Sequence, residues 1–293
     1  MGMIFMKLDV NSIWEGVIMN DFREYNEVDI LITLMSYVNV SSSQDMYYTI
    51  AHTILTHLDR IPTISINDLA ALCYTSPATI SRFCKDLNCG SFANFKLNMA
   101  NALETSKNEI HFSEEERQEI LKEPQYLIDK VYNETIQSLR LGQHSLNIHD
   151  IDQICDMIYK AQKVHMIGYQ FNKIISNDFQ MKMLKLKKFV YAFIERGDEI
   201  QRLDMINDES LVIIVTVRAR PQLIDTLIQK IKENNPRIIM ITMNQTYTND
   251  DIDHIYRIQG IESDYSESSI QGTINFLNVL NTIYLRYGLL YKQ

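Results

Sequence analysis

The chain is poor in the features that mark metal sites, export or membrane residence. It has four cysteines, Cys73, Cys84, Cys89 and Cys155, with no C-x-x-C pair and no histidine at finger-like spacing from them. That is a poor zinc framework, so no metal or cofactor is expected, and the thiols read as buried and reduced, as in a cytosol. No apolar run approaches the ~20 residues that cross a bilayer; the longest are strand-sized, such as Leu211–Val215. The opening MGMIFMKLDV lacks the cationic start, long apolar core and small-residue cleavage site of a signal peptide, so a cytoplasmic chain with no membrane partner is expected. Repeats and low-complexity tracts are missing. Positive charge is in deficit, with Lys+Arg 28 against Asp+Glu 37 and a net charge of −9. This argues against a surface built for non-specific nucleic-acid binding but leaves room for a local basic face.

What remains is ordinary globular material, 46% hydrophobic and 22% charged. At 293 residues, two domains are the starting expectation. The halves differ in pattern. Residues 1–105 read as helical throughout, including a helix within residues 1–25, a helix over 28–37 and another over 46–58 that repeats Tyr47, Ile50, Ala51, Ile54, Leu55 and Leu58. Residues 106–123 lie in the most charged stretch and read as a linker, although Ser113 and Glu116 have the spacing of a capping box. Residues 124–293 alternate strands with helices. Strands are expected at 163–168, 189–193, 211–216, 237–242 and 253–258. Helices are expected at 126–141, 150–161, 172–186, 198–205, 221–233 and 267–287. Strands that are nearly continuous apolar runs imply a parallel sheet covered on both faces.

The clearest constellation lies between Ser65 and Leu103. Ser65 is positioned to cap a short helix over 67–72, with Asp68 in its first turn. After Cys73-Tyr74-Thr75, Ser76-Pro77 opens a second helix over 77–87, with proline at its first position. Ile80, Phe83, Cys84 and Leu87 form one apolar stripe on it, and Gly90 ends it. Two short helices joined by a tight turn form a helix-turn-helix, whose second helix enters the major groove by its N-terminal residues. The face opposite the apolar stripe carries Thr75, Ser76, Pro77, Ala78, Thr79, Ser81, Arg82 and Lys85. Small hydroxyl residues allow close approach to base edges, and Arg82 and Lys85 suit phosphate or guanine contact. Over residues 60–100 the net charge is +2 in a chain of −9. On periodicity alone, a helical bundle with a polar face fits equally well.

The stretch SINDLAALCYTSPATISRFCKDLNCGSFANFKLNMANAL closely resembles the N-terminal domain of RpiR-type (MurR-type) transcription regulators. The resemblance rests on Ser65, Ile66, Leu69, Ala70, Ser76, Ala78, Thr79, Ile80, Arg82, Phe83, Cys84, Leu87, Phe92, Phe95 and Lys96, with order and spacing kept. It implies binding to a double-stranded DNA operator through Ser76–Lys85, with Lys96 added on the following helix, by a homodimer or tetramer. The order of elements beyond residue 124 resembles the sugar isomerase (SIS) domain of the same family, a five-stranded parallel sheet with helices on both faces. Such domains usually take phosphorylated sugars at the carboxyl ends of the strands.

In residues, that second resemblance is weaker. Where the usual turn after the first strand is Gly-x-Gly-x-Ser, this chain reads Gly168-Tyr169-Gln170-Phe171-Asn172. Where the usual second loop is Ser-x-Ser-Gly-x-Thr, it reads Thr216-Val217-Arg218-Ala219-Arg220-Pro221. Gly168, Tyr169, Gln170, Thr216, Arg218, Arg220, Thr242 and Asn244 are the candidate ligand residues. Either the arginines replace hydroxyl recognition of an anion, or the domain has become a dimerisation scaffold. Isomerase chemistry needs a positioned base; His165 sits inside a strand and reads as packed, and Glu262 and Glu267 lie near the last helix. The expectation is therefore a non-enzymatic regulator of carbohydrate metabolism genes.

Overall fold

The computed structural model describes residues 30, 31, 33–39, 41–43, 45–87, 89–107, 112–168, 172–192, 205–261 and 270–292. The expected helices at 1–25 and 198–204, together with Tyr169, Gln170, Glu262 and Glu267, lie outside them. The chain divides into two compact units, Met1–Asn108 and Glu109–Gln293.

In the first unit, a helical stretch at 33–39 is followed by α1 (Met46–Leu55), a 3₁₀ turn (Leu58–Arg60), α2 (Ile66–Leu72), α3 (Pro77–Asp86) and α4 (Phe92–Lys107). The starts are set by local chemistry. Asp45, Ser65 and Ser76 each cap the helix that follows, their side-chain oxygens accepting from the backbone N–H groups of Tyr47, Asp68 and Thr79. Leu34, Ile50, Ile54, Ile61, Leu69, Ile80, Phe83, Phe95 and Met99 form one buried core. Gly90 turns the chain from α3 to α4 at φ +68°; a Cβ there would meet nothing within 4 Å, so conformation and not space selects glycine. The helix expected over 46–58 stops at Leu55, where the Thr56 hydroxyl donates to the His52 carbonyl at 2.8 Å and the chain tightens into the 3₁₀ turn. Conversely, α4 continues past Leu103 to Lys107, since neither glycine nor proline interrupts it.

The second unit contains α5 (Glu114–Lys122), α6 (Gln125–Ser145), α7 (Ile148–Lys160), β1 (Lys163–Gly168), α8 (Asn172–Lys185), β2 (Val190–Ala192), β3 (Ser210–Thr216), α9 (Pro221–Lys232), β4 (Arg237–Thr242), β5 (His254–Arg257) and α10 (Ile270–Tyr291). The sheet has five strands in the order β2-β1-β3-β4-β5, and every pairing is parallel. Strand β3 shows why its sequence does not alternate. Leu211, Ile213 and Val215 enter a core with Ile154 and Ile158 of α7, Phe179 of α8 and Phe276 and Ile283 of α10. Val212 and Ile214 enter a second core with Ile224, Ile228 and Ile231 of α9. Both faces are covered, so each position must be apolar.

Two contacts fix the helices of the larger layer. The Arg286 guanidinium on α10 donates to both carboxylate oxygens of Asp152 on α7, at 2.6 and 3.0 Å. Gly142 lets α6 approach α10 so closely that a Cβ would lie 2.0 Å from Asn275 Oδ1. The buried Asn275 amide donates to the Ser138 carbonyl at 3.1 Å and to the Gln259 carbonyl at 3.3 Å. The Ser113–Glu116 capping box forms and opens α5, and Lys130 of α6 reaches back to Glu116 at 2.8 Å.

Candidate functional site

Helix α3 combines an anchored side and a presented side. Ile80, Phe83 and Cys84 are buried, and Phe83 packs against Tyr37 and Tyr47, at ring centroid distances of 5.5 and 5.0 Å. Ser76, Pro77, Ala78, Arg82 and Lys85 are exposed, while Thr75, Thr79 and Ser81 are half-buried. These eight expected interface residues are thus brought together at the start and along one side of a single helix. Lys96 lies apart from them on α4, with Nζ 5.7 Å from the centre of the Phe92 ring. The Ser76 and Thr79 hydroxyls lie 2.9 Å apart, and Ser76 Oγ also accepts from the Thr79 N–H. They are therefore pre-arranged by the cap. Tyr74, read from the sequence only as part of the turn, is 92% exposed and left-handed at φ 52°. An exposed ring beside α3 adds to the candidate interface; the unfavourable backbone angle for a non-glycine residue was not visible in the sequence.

The cysteines are not part of a site. All four are buried and free, and burial pushes the Cys84 and Cys155 thiols up to about 12. Among the described residues, no cluster of His, Cys, Asp and Glu is arranged to hold a metal ion. No helix there is long and apolar enough to cross a membrane.

In the second unit, Gly168, Thr216 and Thr242 end adjacent strands: Gly168 pairs with Val215, and Thr216 with Thr242. The sheet register therefore brings three of the expected ligand residues to one end of the sheet, with Arg218, Arg220 and Asn244 in the loops that follow. Their polar atoms are engaged within those loops. Thr216 Oγ1 accepts from the Ala219 N–H at 3.3 Å, and the Thr242 hydroxyl donates to the Val217 carbonyl at 3.1 Å. Asn244 Nδ2 donates to the Arg218 carbonyl at 2.5 Å, while its Oδ1 accepts from the Thr246 and Tyr247 N–H groups. Ala219 stands where the family pattern has glycine and still takes the left-handed conformation, at φ 44° and fully buried. Arg220 occupies the cap position of α9, and Pro221 at the first turn removes a backbone donor from that helix start.

Two residues in this region went unread in the sequence. Arg257, at the end of β5, donates to the backbone carbonyls of Gln245, at 3.2 Å, and Tyr247, at 2.7 Å, holding the loop after β4. The Tyr247 hydroxyl donates to Asp225 Oδ1 at 2.5 Å, tying the same loop to α9. His165 is buried with its ring stacked on Tyr191, centroids 4.8 Å apart. Burial, and then the charge of Lys163, lower its pKa to about 4, so it is neutral at pH 7.

Two family descriptions match the chain. Residues 40–106 match the helix-turn-helix domain of the rpiR family, and residues 157–273 match the SIS domain. An uncharacterized HTH-type transcriptional regulator of Clostridium perfringens is 22% identical over 202 residues, covering 66% of this chain and 69% of that protein. The HTH-type transcriptional regulator RpiR of Escherichia coli K12 is 24% identical over 182 residues, covering 61% of this chain and 59% of that protein. The chain thus spans 59% to 69% of the length of these relatives. Among solved structures, an Escherichia coli CFT073 protein, solved in complex with a ligand, shares the fold of the second unit. Its TM-score is 0.51 at 14% identity, over 58% of this chain and 93% of that one.

Proposed function

This chain joins an rpiR-family helix-turn-helix domain to a SIS domain, and on that premise we propose that it is a sequence-specific, DNA-binding transcription regulator of carbohydrate metabolism genes. The observation that carries this reading is α3, which buries one stripe and leaves Ser76–Lys85 available at a capped helix start. In this reading residues 1–105 bind DNA, 106–123 connect, and 124–293 form the sensing and pairing domain. Thr75, Ser76, Pro77, Ala78, Thr79, Ser81, Arg82 and Lys85 face the major groove, and Lys96 meets the backbone beside it. The regulator acts in the cytoplasm as a homodimer or tetramer and catalyses no reaction. Two helix-turn-helix units related by two-fold symmetry read a pseudo-palindromic operator.

The second domain binds a phosphorylated sugar or another anion through Gly168, Thr216, Arg218, Arg220, Thr242 and Asn244, with Tyr169 and Gln170. It thereby shifts operator affinity by the difference in its own affinity between the two states. A second reading, a SIS domain retained only for assembly, is favoured by one observation: the Thr216, Thr242 and Asn244 side chains are hydrogen-bonded within their own loops.

Selection of bound duplexes from a random DNA pool tests the regulator reading. Enrichment of an inverted repeat supports it. Weak, salt-sensitive binding without enrichment, repeated in the presence of pooled sugar phosphates, overturns it. With the enriched duplex in hand, a panel of pentose, hexose and amino-sugar phosphates separates the two readings of the SIS domain. A sensor responds in both melting temperature and operator affinity; a scaffold responds in neither.

A further inference from the structure

Asp86 stands at the carboxyl end of α3, where a negative charge opposes the helix dipole. It lies four positions beyond Arg82, the spacing at which a carboxylate and a guanidinium on one helix face pair. Both side chains are exposed, so that pairing would neutralise the foremost cation of the candidate interface. The carboxylate is instead engaged from another element: the Tyr47 hydroxyl of α1 donates a hydrogen bond to Asp86 Oδ2. Packing determines where this donor stands. The Tyr47 ring meets Tyr37 and Phe83 edge-on, at 5.9 and 5.0 Å. Phe83 is the buried residue next to Arg82 on α3. The hydrogen bond to Asp86, and then burial, push the hydroxyl up to about 12, so it keeps its proton at any physiological pH. Arg82 has neither a hydrogen bond nor an ion pair among the described residues. As a core residue phenylalanine would serve at position 47; the hydroxyl is used only on Asp86.

We propose that Tyr47 is a positioning residue for DNA reading: by holding the Asp86 carboxylate, it keeps the Arg82 guanidinium available to the groove. This rests on the regulator reading above, and it assigns a role in that function to a residue outside the helix-turn-helix. Tyr47→Phe and Asp86→Asn both remove the native hydrogen bond, yet they are expected to act in opposite directions. In Tyr47→Phe the carboxylate is released onto Arg82. In Asp86→Asn no carboxylate remains to compete.

The test is fluorescence anisotropy with the inverted-repeat duplex that the wild-type chain enriches from a random pool, with thermal unfolding recorded for each variant. Tyr47→Phe is expected to weaken binding about two- to threefold, the scale of one exposed helical ion pair. Asp86→Asn binds at least as tightly as wild type, and the double variant matches Asp86→Asn. In an Arg82→Ala background, Tyr47→Phe has no further effect, because no guanidinium remains to be captured. The proposal is overturned if Asp86→Asn weakens binding as Tyr47→Phe does, or if the Tyr47→Phe loss persists in the Arg82→Ala background. It is also overturned by a lower-melting Tyr47→Phe chain whose affinity Asp86→Asn does not restore, which marks a packing role. A wild-type chain that enriches no duplex overturns the regulator reading itself, and this one with it.

Discussion

At the scale of single residues, spacing identified the groups that face outward, and packing decided what each can do. Arg82 is exposed on α3, and if it reads a guanine, Arg82→Ala should cost ~1–3 kcal/mol of operator binding at one base position. Equal weakening on all sequences, with a salt slope smaller by ~1, would mark a phosphate contact instead. A competition series against operators carrying single-base changes distinguishes them. His165 makes a pH prediction. Its folded pKa of about 4 lies below the ordinary 6.5 because burial disfavours the charged ring. The unfolded chain therefore takes up the proton first as pH falls. Stability is complete above pH ~6.5 and declines toward pH ~4, by up to ~3 kcal/mol over that window. Equilibrium unfolding across this range should show the slope in wild type and a flatter one in His165→Phe, whatever that variant's baseline stability; equal slopes would count against the assignment. The sequence reading of His165 as a packed residue rested on its place inside an apolar strand, and the ring is indeed buried. Nothing local, however, signalled that Tyr47 meets Asp86, 39 positions away.

At the scale of elements, local start signals were the legible part. Ser65, Ser76 with Pro77, and Ser113 with Glu116 were each read as helix starts, and each caps the helix that follows. These signals involve neighbours within one turn, so the sequence contains all the partners. The ends were less legible. The break after Leu55 depends on Thr56 bonding back to His52, a choice that propensity alone does not make. The approach of α6 to α10 was not legible at all, because glycine inside a helix is ordinarily only a weak point. Gly142→Ala inverts the usual sign. In an exposed helix it would stabilise by ~1 kcal/mol through propensity. Here the new Cβ would fall 2.0 Å from Asn275 Oδ1, forcing apart two helices whose buried amide bridges them. Overpacking of this kind typically costs ~1–3 kcal/mol, so chemical denaturation of Gly142→Ala should show a lower midpoint. A raised midpoint would mean that the two helices separate freely.

At the scale of the molecule, each unit has a core of its own, and the second leaves apolar surface uncovered. Along α6, Leu127, Ile128, Val131, Tyr132 and Ile136 are exposed, an arrangement suited to pairing between copies of the proposed oligomer. Ile128→Glu is expected to shift sedimentation equilibrium from dimer or tetramer toward monomer with far-ultraviolet circular dichroism unchanged. It should also weaken binding to the full inverted repeat more than to an isolated half-site. A wild-type chain that sediments as a monomer would remove the basis for two-fold operator reading.

By itself the sequence determined the type and order of the main elements, the parallel sheet covered on both faces, and the helix-turn-helix with its outward residues. Each of these depends on periodicity or on capping between near neighbours. The tertiary structure decided how the polar groups are used. Thr216, Thr242 and Asn244 were read as ligand residues from their positions at strand ends, but their atoms bond within the loops. Arg257 holds a backbone loop, and Ala219 takes a glycine-like angle in the interior. The physical reason is range: a hydrogen bond joins whichever donor and acceptor the fold brings within ~3 Å, and residues distant in sequence become partners only when helices and strands have packed.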